Sequence, residues 1–146
     1  MAFEIEHKYL VKSDDYRSMS SGCVHIRQGY LSRRPEGTVR VRIKDSRSYL
    51  TVKGRTAHDT RLEFEYEVPV AEAEHMLQLC EGTVIDKTRY LVEYGGYTWE
   101  VDEFHGAHQG LVVAEIELDE SRHDYPLPPF VGREVTGDTR YYNSNL

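Results

Sequence analysis

Charged and apolar residues alternate along most of this chain, with the two-residue period of a β-strand. Seven short segments carry a charge at every second position, at residues 4–8, 40–44, 53–55, 63–67, 87–89, 100–102 and 115–117. Because a strand points successive side chains to opposite faces, each segment places its charges on one face and mostly apolar residues on the other. The pattern therefore predicts a protein built mainly from strands, each with one charged face.

The same pattern sets the expected number of strands at eight. They are expected at residues 3–11, 23–32, 38–44, 48–55, 61–68, 84–94, 97–104 and 111–118. Gly95 and Gly96 are typical of a two-residue hairpin turn between the sixth and seventh strands. A closed antiparallel barrel is the simplest arrangement, because closure leaves no strand edge unpaired. We therefore expect a mainly β fold of the α+β type, an eight-stranded closed barrel with a few short helices.

Helices are expected at two or three places. The acidic residues after Ser13 can cap a short helix that runs to about Met19. Residues 71–80 carry apolar side chains at helical spacing, and Gly82 is expected to end that helix. The residues from Val131 onwards are expected to hold a short helix or turn.

Charges of one sign repeat within nearly every segment. An ordinary solvated face mixes the two signs, because like charges side by side repel each other. Basic rows beside acidic rows would instead bind a polyanion together with the divalent cations that neutralise it. The spacing alone leaves open whether the charged faces point to solvent or into an enclosed cavity.

Length and composition limit the classes of protein. At 146 residues the chain is expected to form one domain, residues 1–146, large enough for a core. Its net charge of −7 argues against a general nucleic-acid or membrane-surface binder, but leaves room for a local basic site. Cys23 and Cys80 lack metal-ligand or redox spacing, so we interpret them as reduced thiols of a cytoplasmic protein. No apolar run approaches the ~18 residues of a membrane span, and no signal-peptide pattern is present.

The charged segments together resemble a known family. Glu4-x-Glu6-x-Lys8 is similar to the ExExK signature of the CYTH, or triphosphate tunnel metalloenzyme, superfamily. The resemblance continues in the family's order at residues 28–31, 39–42, 50–54, 63–67, 87–90, 99–104, 114–118 and 132–136. It implies an eight-stranded antiparallel tunnel with its charged faces inward. It also implies an enzyme like the bacterial inorganic triphosphatases, which hydrolyses a triphosphate with Mg²⁺ or Mn²⁺.

The resemblance extends to the roles of individual residues. The basic residues that match the family's phosphate-binding positions are Lys8, Arg40, Arg42, Lys53, Lys87 and Arg89. Arg55, on the same strand face as Lys53, is a further candidate for substrate binding. The carboxylates that match the metal-binding positions are Glu4, Glu6, Glu115 and Glu117. The resemblance also implies a catalytic set. Its members are Glu4, Glu6 and Lys8, together with Glu63, Glu65, Glu100 and Asp102 as further metal ligands or water-orienting groups.

Tyr30 has two interpretations, as a tyrosine of the barrel wall or as a substrate contact near the tunnel. Surface charges are expected at Lys44, Glu67 and Arg133, and packing residues at Trp99 and Phe104. The histidines show no metal-binding spacing, and no phosphate-binding glycine loop is present.

The compact chain favours the smallest triphosphate as substrate, because it shows no obvious insertion for recognising a base or a thiazole ring. Inorganic tripolyphosphate is therefore expected, with a nucleoside or thiamine triphosphatase or a class IV-type adenylate cyclase as the enzymatic alternative. A polyphosphate- or nucleotide-binding domain without turnover is the alternative outside the enzymes, although it would have no use for so many carboxylates. The expected partner is thus a small-molecule polyanion, without nucleic acid or membrane, and a homodimer is expected.

Overall fold

A pairing between the first and fifth strands closes the sheet of this protein into a barrel. The structure, a computed structural model, describes residues 3–146. Its strands are β1 (Phe3–Val11), β2 (Gly22–Ser32), β3 (Gly37–Lys44), β4 (Arg47–Gly54), β5 (Thr60–Val68), β6 (Glu81–Tyr94), β7 (Tyr97–Phe104), β8 (Val112–Leu118) and β9 (Val131–Glu134). Antiparallel neighbours follow the order β5-β4-β3-β2-β6-β7-β8-β1. Phe3 of β1 faces Leu62 of β5, and this antiparallel pairing closes the eight strands. The predicted mainly β, eight-stranded closed barrel is confirmed.

The short strand β9 extends the sheet beside the second half of β1. Tyr9 faces Glu134 and Val11 faces Val131 across this pair. The sequence predicted a short helix or turn among the residues from Val131 onwards, and 3₁₀ turns lie there at Thr139–Tyr141 and Asn143–Asn145, but β9 itself was not predicted. The pairing of β5 with β1 ends at Ile5, so β9 supplies partners to the edge that β5 leaves free. Four residues are too few to show a strand period in the sequence.

Short helices connect or follow the strands. They are α1 (Tyr16–Met19), α2 (Val70–Gln78) and 3₁₀ turns at Gly106–His108, Thr139–Tyr141 and Asn143–Asn145. The helix predicted over 71–80 is present, but it ends at Gln78 and not at Gly82. Gly82 lies within β6, because β6 already pairs with β2 at Glu81, opposite Tyr30. Among residues 3–146, every helix is too short or too polar to span a membrane.

The predicted hairpin turn between β6 and β7 is also confirmed. Gly95 and Gly96 have positive φ angles of 58° and 84°, the conformation that a two-residue hairpin turn requires. A Cβ atom on Gly95 would lie 2.1 Å from Cγ of Pro126. The turn therefore needs glycine both for its backbone conformation and for the approach of the loop before β9.

The apolar faces of the strands point outward and form the core with the covering helices and loops. The larger cluster joins the barrel wall to α1 and to the loop before β9; its members include Tyr9, Tyr16, Trp99, Val101, Ile116, Tyr125 and Phe130. On another side of the barrel, α2 packs Ala73 and Leu77 against Val41 and Ile43 of β3. Trp99 and Phe104 are buried, as the sequence predicted for packing residues. The charged faces consequently point inward, which resolves the alternative that the spacing left open.

Candidate active site

The charged faces meet in one polar cavity of about 280 Å³ inside the barrel. It is lined by all of the predicted site residues except Arg55 and Asp102, namely Glu4, Glu6, Lys8, Tyr30, Arg40, Arg42, Lys53, Glu63, Glu65, Lys87, Arg89, Glu100, Glu115 and Glu117. The strand alternation brings them together, because each row of charges lies on the inward face of its strand.

An apolar cluster closes one end of the barrel. Ile85, Phe104 and Val113 each continue a charged row by two residues, on β6, β7 and β8, and they pack with Tyr30. Leu146 packs against the same cluster. Tyr30 also lines the cavity and is only 5% exposed, so it belongs to the barrel wall and faces the site at once.

Three carboxylates converge at the acidic side of the cavity. One oxygen from each of Glu4, Glu6 and Glu117 lies within 4.8 Å of the others. Glu6 and Glu117 face each other directly across β1 and β8, a position where two like charges are destabilising. Crowded oxygen donors of this kind fit a hard divalent cation, which would neutralise their repulsion.

The pKa values of these carboxyls show the same crowding. Burial, together with the charges of Glu115 and Glu4, raises the pKa of Glu6 well above its ordinary value. Partial burial and nearby carboxylates, with Glu4 the first of them, raise the pKa of Glu117 to about 7. Burial alone would raise the pKa of Glu115, but Lys8 opposite it on β1 holds that pKa at about 2. Lys53 partly compensates the group, since its Nζ donates to Glu4 Oε1 at 2.8 Å.

Cations crowd the other side of the cavity. Burial and the positive charges of Arg40 and Arg89 lower the pKa of Arg42 to about 9. Burial also lowers the pKa of Lys87 to about 7; Asp102 opposes the shift, while Arg89 and Arg42 add to it. Repulsion among buried cations is relieved by a bound anion, so this side of the cavity suits a polyanion.

Asp102 lies behind the cations and not on the cavity surface, so its predicted place in the catalytic set is corrected. Its Oδ2 accepts from Lys87 Nζ at 2.7 Å, and its Oδ1 accepts from Arg89 Nε at 2.8 Å. Burial would raise the pKa of this carboxyl, but Arg89 and Lys87 hold it well below its ordinary value. The strand alternation correctly predicted that Asp102 points inward. Arg89, its direct neighbour across β6 and β7, covers it and separates it from the cavity. Asp102 is therefore a positioning residue for two cations.

Arg55 was predicted to bind substrate, but its side chain does not line the cavity. The side chain is 66% exposed and donates to Glu36 Oε2 at 3.1 Å. β4 ends at Gly54, so the strand alternation no longer determines the direction of Arg55. Lys44 shows the opposite error: it was expected at the surface, but it is the last residue of β3 and lines the cavity. Glu67 and Arg133 are exposed, as expected.

Several lining residues were missed by the sequence interpretation; they are Thr38, Thr56, His58, Asp59, Arg61, Thr136, Gly137, Tyr142, Asn143 and Ser144. Arg61 stands two residues before Glu63 on β5, so the alternation did carry a signal for it. Residues 136–144 follow the last strand and have no periodic pattern. Only the folded structure places them at the site.

A second group of possible metal ligands, His7, His123 and Glu134, does not fit a metal ion. The two imidazole rings are stacked, with centroids 4.1 Å apart and planes 12° apart, so their in-plane lone pairs run side by side and do not converge. Both nitrogens of His7 already have partners, Tyr125 Oη at 2.7 Å and Asp59 Oδ2 at 2.8 Å. The group therefore fastens β1 to two loops.

Comparison with known proteins agrees with the fold. The CYTH domain model matches residues 2–143. The chain belongs to the CYTH family. An inorganic triphosphatase of Acetivibrio thermocellus is 50% identical over 147 aligned positions, which cover 100% of this CYTH chain and 94% of that protein. An inorganic triphosphatase of Nitrosomonas europaea is 31% identical, with 98% and 95% covered. The crystal structure of an inorganic triphosphatase superimposes with a TM-score of 0.68 at 31% identity, covering 97% of this chain and 95% of that one.

Proposed function

We propose that this CYTH protein is a divalent-metal-dependent triphosphatase whose substrate is inorganic tripolyphosphate. The observation that supports this proposal is that a cluster of largely buried cations faces a cluster of carboxylates across one cavity of about 280 Å³. The names of the relatives at 50% and 31% identity support the same activity.

The cations bind the phosphate chain in this proposal. Arg40, Arg42 and Arg89 offer planar guanidinium groups that can contact phosphoryl oxygens in pairs. Lys8 and Lys87 add compact charges from β1 and β6. Cations on several strands match the several charges of a triphosphate, and they lower the cost of removing it from water.

The carboxylates hold the metal and orient water in this proposal. Glu4, Glu6 and Glu117 would hold Mg²⁺ or Mn²⁺, with Glu115 beside Glu6. When bound, the ion neutralises these carboxylates and polarises a phosphoryl oxygen. Glu65 and Glu100 line the cavity beside Arg40 and Arg89 and would orient the attacking water. Burial and the charge of Glu4 raise the pKa of Glu63, which suits its carboxylate oxygen to accept a proton from that water.

Tripolyphosphate is expected to be turned over with a higher kcat/KM than ATP, and pyrophosphate is expected to be a poor substrate. Pyrophosphate would leave some of the buried cations unpaired, which is costly in a cavity of low dielectric constant. ATP would have to place its nucleoside outside the polar cavity, which the apolar cluster closes at one end. Phosphate release from tripolyphosphate, ATP, thiamine triphosphate and pyrophosphate, each with Mg²⁺, with Mn²⁺ and with chelator, measures the order.

Each alternative has its own outcome in this assay. A higher kcat/KM for ATP or thiamine triphosphate would identify a different triphosphatase. Cyclic AMP as the product would identify a cyclase. Tight binding without release of phosphate would leave a polyphosphate- or nucleotide-binding domain.

The affinity for tripolyphosphate is expected to fall as the pH rises through about 7. Burial, with Arg89 and Arg42, lowers the pKa of Lys87 to about 7, so Lys87 loses its charge in the free protein above this pH. A bound phosphate favours the charged form and raises this pKa, so binding at higher pH must take up a proton and is weakened by up to about tenfold per pH unit. Titration calorimetry in buffers of different ionisation enthalpy, with EDTA, measures the uptake.

Lys87→Arg is the matched control for this pH dependence, because arginine stays charged throughout the range. The variant and the wild type share any protonation of tripolyphosphate itself, and only the wild type should show the additional uptake. Identical pH profiles would contradict the assignment.

We also propose that residues 1–146 form one CYTH-like domain, and that two copies associate. The match of the family model to residues 2–143 supports the first proposal. An uncovered outer face of β4 and β5 supports the second, where Val52, Phe64 and Tyr66 are 36%, 40% and 63% exposed. Sedimentation velocity would measure the oligomeric state, and a monomer at all concentrations would contradict the dimer.

The free thiols of Cys23 and Cys80 favour a location in the cytoplasm, where thiols are kept reduced.

A further inference from the structure

Residues 135–146, the closing segment, cross the closed end of the barrel after β9. The segment starts against β1, where Val135 N donates to Lys8 O at 2.7 Å and Lys8 N donates to Thr136 Oγ1 at 3.0 Å. Further along, the guanidinium group of Arg33, next to β2, donates to the carbonyl oxygens of Ser144 and Leu146. The segment is therefore fixed to the barrel on both sides of the residues that line the cavity.

Asn143 reaches the cationic side of the cavity from this segment. Its Oδ1 accepts hydrogen bonds from Lys87 Nζ at 3.0 Å and from Gln28 Nε2 at 3.2 Å. Gln28 is fully buried, and its Oε1 accepts from Arg42 Nε at 2.9 Å. One amide oxygen thereby orients Lys87 directly and Arg42 through Gln28.

A neutral acceptor is the appropriate group at this position. Asp102 already supplies one full negative charge to Lys87 and Arg89. A second carboxylate beside Lys87 would neutralise it and repel an incoming polyanion. An amide oxygen instead orients the ammonium group and leaves its charge for the substrate. A lysine with a fixed side chain also loses less conformational entropy on binding.

We propose that Asn143 is a positioning residue for tripolyphosphate, one that holds Lys87 and, through Gln28, Arg42 in the arrangement that receives the phosphate chain. The closing segment is then part of the substrate-binding site. This inference rests on the proposed function, because its substrate is the tripolyphosphate assigned there.

The test compares Asn143→Asp, Asn143→Ala and a control within the same segment. Asn145→Ala is the control, because Asn145 is exposed and its Nδ2 donates only within the segment, to Thr139 O at 2.8 Å. Each variant is measured for kcat and KM with tripolyphosphate, for tripolyphosphate affinity in EDTA by calorimetry, and for melting temperature.

The aspartate variant is expected to weaken tripolyphosphate binding about ten- to a hundredfold, the range for a lost or opposed hydrogen bond to a charged group. Its loss should appear in KM and Kd more than in kcat, since the added charge repels the bound anion and keeps the shape of the side chain. Asn143→Ala should lower kcat/KM about tenfold, and Asn145→Ala should match the wild type.

Wild-type affinity and kcat/KM in both Asn143 variants would overturn the inference. Equal losses of affinity in Asn143→Ala and Asn143→Asp, with a lowered melting temperature in both, would show a structural role and overturn it as well. If Asn143→Ala does not fold, the isosteric aspartate decides alone. A wild type that neither binds nor hydrolyses tripolyphosphate overturns the proposed function together with the inference, whereas an active wild type with unaffected variants overturns only the inference.

Discussion

Substituting glutamine for Glu6 is expected to lower the turnover of tripolyphosphate by about 100-fold or more, which corresponds to about 3 kcal/mol of transition-state stabilisation. Glu6 is one of three carboxylates whose oxygens lie within 4.8 Å of one another. The amide removes one of the charges that would attract a divalent cation. Phosphate release over a series of Mg²⁺ and Mn²⁺ concentrations measures the effect.

Stability is expected to change in the opposite direction. Burial and the charges of Glu115 and Glu4 raise the pKa of Glu6 well above its ordinary value. A raised carboxyl pKa means that the ionised form opposes folding near neutral pH, so Glu6→Gln should melt at an unchanged or higher temperature.

Glu67→Gln is the matched control for Glu6→Gln. Glu67 ends the acidic row of β5, is exposed and lies 3.5 Å from Arg47 Nε, so its loss should change neither turnover nor stability measurably. Full wild-type activity in excess chelator would refute the metal assignment. Normal turnover by Glu6→Gln at every metal concentration would show that Glu6 is not a metal ligand.

Asp102→Asn is expected to destabilise the protein and to weaken tripolyphosphate binding. Removing the charge leaves Lys87 and Arg89 buried beside each other without the carboxylate that both contact. Breaking a buried ion pair in this way costs about 3–5 kcal/mol, and we expect the lower end because Lys87 can lose its proton. Chemical denaturation measures the free energy of unfolding, and calorimetry measures the affinity.

Asp86→Asn is the control for Asp102→Asn, since Asp86 is 45% exposed and forms a surface pair with the exposed His25 at 2.8 Å. We expect less than about 1 kcal/mol from it. Equal stability of the two variants would show that the Asp102 pair contributes no more than a surface pair. Unchanged affinity in a destabilised Asp102→Asn would contradict its role in positioning the cations.

The strand rows were readable from the sequence because they depend on local geometry. A two-residue period puts Glu4, Glu6 and Lys8 on one face of β1 whatever the rest of the chain does. The family resemblance then predicted that this face points into the barrel, and the structure agrees. The period ceases to hold where the strand ends, which is why Arg55 was placed wrongly.

The strand period does not predict how deeply a side chain lies within the barrel, or which residues from distant segments contact each other. Asp102 and Glu100 share a face of β7, yet only Glu100 reaches the cavity, because Arg89 on β6 covers Asp102. Asn143 meets Gln28 across 115 positions of sequence, in a segment without periodicity. Such residues are found only when the register of the strands and the path of the following segment are known.

Because the core of this barrel faces outward, the residues that stabilise the fold differ from those that line the cavity. The layer that holds the molecule together, around Trp99 and Ile116 outside and α2 on another side, is separate from the surface that meets the substrate. Substitutions of cavity-wall side chains, except those tied together as Asp102 is, are therefore expected to change the anion preference of the cavity while that layer keeps the barrel folded.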